Sequence, residues 1–247
     1  YGTAYPLASG MLIVLQSFGY LYLPLTSRLD AEDRRAEIDS IYKLTSKWVF
    51  IVTFPAFLAL TVFSSDVLAI VFGGKYREAG LALTILSVGF FTSAAAGRNR
   101  ETLSAIGYTQ YILGANAVAF FLNIVLNLIL IPRYGYVGAA IASASSYVAL
   151  NGTIYVVLQS KFDISPFSRW SIRTFIVVPT VLFPPTYALS TVLDLTAVTL
   201  IAFLVVAGPL ALSVVALRVC LQTQDGVTLQ LFEESLLISV PLVDLYL

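Results

Sequence analysis

The sequence predicts an all-α fold, a polytopic transmembrane bundle of about seven helices, and three observations lead there. The chain is 58% hydrophobic and only 11% charged, with a mean hydropathy of +0.88, whereas an ordinary soluble domain carries about 25% charged residues. Apolar stretches near the length needed to cross hydrocarbon, about 20 residues in a helix, recur along it. Lys and Arg gather in alternate connections between those stretches.

The spans fall at 5–26, 48–72, 79–96, 108–131, 135–158, 172–193 and 195–219. Each must be helical because backbone polar groups in lipid have no water to bond and must pair within the segment. The segment 28–47 is different: it holds five basic and five acidic residues, with Ile38, Ile41, Tyr42 and Leu44 at helical spacing. That pattern predicts an interfacial amphipathic helix. The organisation is thus a transmembrane lobe over 1–220 and a cytoplasmic tail over 221–247.

Orientation follows from Lys and Arg. Eleven of the fourteen (Arg28, Arg34, Arg35, Lys43, Lys47, Arg98, Arg100, Lys161, Arg169, Arg173 and Arg218) fall on one side, and Lys75, Arg77 and Arg133 on the other. The first group predicts the cytoplasmic face, with Trp48 and Trp170 at that interface and Tyr76, Tyr134 and Tyr136 at the outer one. The first helix then enters from outside and the C-terminus ends inside. An odd number of preceding helices accommodates that entry, so the sequence reads as the second half of an internally repeated bundle.

Composition also excludes chemistry. The chain has no His and one Cys, so imidazole catalysis, disulfides and His- or Cys-based metal sites find no residues here. No cofactor is expected, nor an enzyme. Balanced charge, 14 basic against 14 acidic residues, gives no footprint for nucleic acid.

What remains is a set of polar groups inside apolar helices. Asn116, Asn123 and Asn127 are separated by seven and four residues, which places them on one narrow helix face. Two readings stand: a stripe lining a polar cavity, or hydrogen-bonded contacts between helices. Arg98 and Arg100 follow the third span, where guanidiniums can grip a phosphate bidentately, and positive-inside topology also accounts for them. Lys43, Lys47 and Arg173 are weaker candidates that also suit snorkelling. Asp66 lies towards the outer end of its span and suits a solvated turn. The run 138–145 is small enough for close helix packing, and Pro55, Pro179, Pro184 and Pro185 predict bends.

The segment Ile131-Pro132-Arg133-Tyr134-Gly135-Tyr136-Val137-Gly138-Ala139-Ala140 resembles a turn found in the polysaccharide-biosynthesis, O-antigen-type flippase branch of the multidrug/oligosaccharidyl-lipid/polysaccharide exporter superfamily. Pro55, Asp66 and Val71-Phe72-Gly73-Gly74-Lys75-Tyr76 are similar to a second family pattern, and Pro24-Leu25-Thr26-Ser27-Arg28-Leu29 to a third. The resemblance implies a fourteen-helix transporter of two pseudo-symmetric lobes, of which this chain matches the last seven helices. It implies a flippase that moves polyprenyl-linked oligosaccharide across the cytoplasmic membrane by alternating access. The implied partners are the lipid-linked saccharide, membrane lipids and glycosyltransferases or a polymerase of the same pathway. The family's charged functional residues lie largely in the other half, so none is carried over. A cation-coupled multidrug exporter is the alternative, and it calls for a mid-membrane carboxylate that this sequence does not offer.

Overall fold

The computed structural model describes residues 1–17, 19–192 and 196–219. The expected tail 221–247 lies outside them, as do the side chains of Trp170 and Arg218. All elements among the described residues are helical. Among the described residues, six helices are long and apolar enough to cross a membrane: Arg35–Val62, Gly74–Ala96, Thr109–Tyr134, Tyr136–Phe162, Ser171–Val192 and Ala197–Val214. The protein is a multi-pass, all-α bundle.

The first expected span is helical but not continuous. It forms α1 (Ala4–Gly10), α2 (Leu12–Ser17) and α3 (Gly19–Ala31). The break among the described residues is at Met11, after Gly10 closes the first piece, and glycine is among the poorest residues for holding a helix together. Pro24 inside α3 brings no N–H to the helix ladder.

The expected interfacial helix over 28–47 is not a separate element. Its start completes α3, a turn follows with Asp33 at φ 56°, and the remainder is the first half of a single helix, α4 (Arg35–Val62). No glycine or proline between 35 and 54 stops that helix, so amphipathic and apolar halves run on together. Ile38, Ile41 and Tyr42 bury one face of its polar half. At 1.5 Å per residue α4 is about 42 Å long, more than the ~30 Å hydrocarbon layer, so roughly two turns project beyond it. At the turn Arg34 bonds Glu32 and Glu37, and Arg28 bonds Glu32. The hydrogen bonds from Arg34 and then Arg28 hold the exposed Glu32 carboxyl below its ordinary range.

At the opposite end α4 stops at Phe63, and α5 (Ser64–Phe72) completes what was expected as one span. Asp66 sits in the first turn of α5, where a carboxylate complements the helix dipole, and pairs with Arg77 at 2.9 Å. A 3-10 turn (Gly74–Ala79) leads to α6 (Gly80–Ala96), α7 (Asn99–Ala105), α8 (Thr109–Tyr134) and α9 (Tyr136–Phe162). Gly135 alone separates α8 from α9, at φ 56°, a conformation that favours glycine. Gly138 lies so close to the Leu130 carbonyl that a side chain there would collide with it.

Helix α9 packs on α8 and α6, and α6 on α4. A Cβ on Gly89 of α6 would come within 2.5 Å of Ala144 Cα, so the small residues expected to permit close packing do so here. Phe50, Phe54, Phe90 and Phe91 fill the centre of the larger core. A second core, with Tyr22, Ile38, Tyr42, Leu103 and Ile154, lies at the end carrying α7. Helix α10 (Arg169–Val192) contains Pro179, Pro184 and Pro185 and packs on α4. The last span is α11 (Ala197–Ala202), a π-helical turn (Phe203–Ala207) and α12 (Gly208–Val219). Gly208 lies against Pro55 of α4.

Candidate functional site: a polar track across α7, α8 and α9

Helix α8 has three unequal faces. Ala115 and Ala119 are its buried residues, on the side packed against α9. Leu113, Phe120, Phe121, Ile124 and Leu128 are exposed apolar side chains, suited to lipid. Asn116, Asn123 and Asn127 fall within about 40° of one another and roughly a quarter turn from the buried face. Asn116 is exposed and the other two are partly so. Asn127 Nδ2 donates to Asn123 Oδ1 at 2.8 Å, and Asn116 Nδ2 donates to the Ile112 carbonyl at 2.8 Å. From Asn116 to Asn127 the stripe covers about 16 Å, half the hydrocarbon depth.

The two candidate arginines part company. Arg100 is exposed, and its Nη2 donates to Asn116 Oδ1 at 3.0 Å, so two residues chosen separately from the sequence meet. Arg98 is 2% exposed and pairs with Glu101 at 2.7 Å. Its Nε and Nη2 are buried with no hydrogen-bond partner among the described residues. The chain just before them is tightly fixed: Gly97 has φ 63°, and a Cβ there would strike Ser46 of α4.

Asn99 lies between the arginines, and its amide donates to Asn151 Oδ1 at 3.1 Å. Asn151 belongs to a second stripe, on α9, with Ser143 and Tyr147 each one turn further along. Its Nδ2 donates to Ser93 Oγ and to the Tyr147 carbonyl, both at 2.9 Å. Tyr147 and Tyr5 of α1 share a hydroxyl hydrogen bond at 2.8 Å, as do Tyr1 and Ser143. Short α7 therefore joins the two stripes, Asn99 to α9 and Arg100 to α8.

Sequence reasoning found the α8 stripe and the arginines but missed the α9 stripe. Ser143 falls in the run of small residues read as a packing surface, and Asn151 stands apart from the spacing that marks α8. The spacing 143, 147, 151 was the available signal. The remaining cations belong elsewhere: Lys43 pairs with Asp39, and Lys47, 3% exposed, lies 6.0 Å from the Trp48 ring centre.

Chemically the track offers amides, hydroxyls and one exposed guanidinium. Polar groups of this kind are unfavourable against lipid tails. They suit a hydrated path, or a ligand rich in hydroxyl groups with an anionic end.

No protein-family model matches the chain, and no solved structure matches it. Among curated proteins, the probable low-salt glycan biosynthesis flippase Agl15 of Haloferax volcanii is 27% identical over 162 residues, 66% of this chain and 34% of that protein. The capsular polysaccharide biosynthesis protein CapF of Staphylococcus aureus is 30% identical over 156 residues, 62% of this chain and 38% of that protein. An uncharacterized membrane protein of Methanocaldococcus jannaschii, MJ1068, is 27% identical over 133 residues, 53% of this chain and 26% of that protein. The chain thus spans about a third of the length of the first two.

Proposed function

We propose that this chain, similar over nearly two thirds of its length to a probable glycan biosynthesis flippase and to a capsular polysaccharide biosynthesis protein, is part of a transporter that carries lipid-linked oligosaccharide across the cytoplasmic membrane by alternating access. The observation that carries the reading is the Arg100–Asn116 hydrogen bond, which sets a cation at the end of the amide stripe. A polyprenyl-linked saccharide has matching parts. Its phosphate takes charge-assisted hydrogen bonds from Arg100, its sugar hydroxyls exchange hydrogen bonds with Asn116, Asn123 and Asn127, and its lipid tail stays in the bilayer beside the exposed apolar face of α8.

The protein's task in this reaction is to lower a solvation barrier rather than to make or break bonds. A charged group at mid-membrane costs several kcal/mol even on insertion scales, and a polar track replaces part of the lost water. Arg98, held by Glu101 inside the bundle, anchors the turn that presents Arg100. Alternate loading of Lys and Arg supports an orientation with α7 and the α3–α4 turn on the cytoplasmic side and the C-terminus inside. Glycosyltransferases or a polymerase of the same pathway are the partners this role calls for.

The test uses cells depleted of the full-length protein, with lipid-linked glycan assigned to a leaflet by an impermeant glycosidase. Accumulation of intact carrier-linked glycan in the inner leaflet, with loss of surface polysaccharide, is the expected outcome. An unchanged glycan pool in cells that retain cationic dyes transfers the assignment to a multidrug exporter.

A further inference from the structure

We infer that the sugar portion of the cargo is read by the hydroxyl wall formed by α1 and α9, above all by the Tyr5–Tyr147 pair. The inference rests on the flippase reading and adds a subsite to it, separate from the amide stripe on α8.

Three features of the wall point to a polyhydroxyl ligand. Its members are paired only in a local, exchangeable way: Tyr5 with Tyr147 and Tyr1 with Ser143, across two helices rather than within one. In each pair either oxygen can donate, and a sugar hydroxyl has the same capacity to donate and accept. A saccharide can therefore take the place of one partner without leaving a buried polar atom unpaired, whereas a lipid tail cannot.

The rings, by contrast, are fixed. Phe90 packs against both, its centre 5.2 Å from the Tyr5 ring and 4.4 Å from the Tyr147 ring, so the hydroxyls are presented from a rigid aromatic base.

The placement is also right. The Tyr147 carbonyl is bonded to Asn151, Asn151 to Asn99, and the next residue along the chain, Arg100, to Asn116. Sugar at Tyr147 and phosphate at Arg100 thus lie on one connected track, with polarity matched to the order of groups in a carrier-linked glycan. Removal of a hydroxyl that bonds the sugar costs about three- to tenfold in affinity, by the usual net worth of one hydrogen bond.

The experiment measures binding of two probes to the full-length protein in nanodiscs: undecaprenyl diphosphate, and the same carrier bearing N-acetylglucosamine. The wild-type protein should bind the sugar-bearing probe more tightly. Tyr5→Phe combined with Tyr147→Phe, which keeps the rings on Phe90, should erase that difference while leaving the sugar-free carrier unaffected. Arg100→Gln should weaken both probes together.

A retained preference for the sugar in the double variant overturns the inference, as does equal weakening of both probes, which marks the hydroxyls as helix-packing groups. A wild-type protein that binds both probes equally also overturns it. Binding of neither probe by the wild-type protein instead removes the flippase reading beneath it. If the double variant melts far below wild type, Ser143→Ala carries the same test, with an expected loss of about threefold in the sugar preference and overturn if there is none.

Discussion

Arg98 and Arg100 are two positions apart and do different work. A buried guanidinium that loses its carboxylate partner, or the reverse, destabilises a protein by about 3–5 kcal/mol, because the remaining charge is stranded. Glu101→Gln, which strands the buried Arg98, should accordingly lower the melting temperature in detergent, and Arg100→Gln should barely move it. The transport readout should be reversed in emphasis. A hydrogen bond to a charged group is worth about 1.5–3 kcal/mol, so Arg100→Gln and Asn116→Ala should each slow flipping in proteoliposomes by about tenfold or more. Because the two side chains share one bond, the double variant should be little worse than the poorer single. Additive losses would show that the two act independently and would remove the shared head-group site.

Individual elements are placed by glycines where helices come closest. Gly89 meets Ala144 on the α6–α9 contact, and in a membrane such contacts stabilise through packing alone, since lipid tails are as apolar as the side chains. Gly89→Val should force the two helices apart and lower the melting temperature, with loss of the Asn99–Asn151 bond that depends on the same contact. Gly97 controls the other junction, from α6 to α7. Its backbone, at φ 63° and ψ −137°, lies in a region costing a side-chain-bearing residue about 1–3 kcal/mol. Gly97→Ala should therefore destabilise the protein, and Ser46→Gly in the same chain should recover only the steric part, because the backbone strain remains. Full recovery in a thermal melt would count against the strain argument.

For the whole molecule, the orientation in the membrane rests on the distribution of Lys and Arg. The proposed orientation, read from the charge distribution, has the α3–α4 turn and α7 in the cytoplasm and the α5–α6 connection outside. Cysteines placed at Arg34 and Lys75, in a chain with Cys220→Ser, should react with an impermeant maleimide from opposite sides, Lys75→Cys in intact cells and Arg34→Cys only after lysis. Labelling of both in intact cells would contradict the threading of α4 across the membrane; labelling of Arg34→Cys alone would invert the orientation.

Much of this was legible in the residues themselves. Apolar length set the spans from α4 to α12, because lipid leaves a helix as the only outlet for a lone backbone segment, and Asn116, Asn123 and Asn127 announced a shared face by spacing alone. Helix junctions were less legible. The fusion of 35–47 with the span after it, and the break in the first span at Met11, turn on the local sequence and on neighbours such as Tyr22, Ile38 and Leu103. Only tertiary structure could separate Arg98 from Arg100 and bring Tyr5 to Tyr147, 142 residues away. Periodicity tells which face of a helix a residue occupies; which other helix that face meets is decided by packing, and packing is a property of all the helices at once.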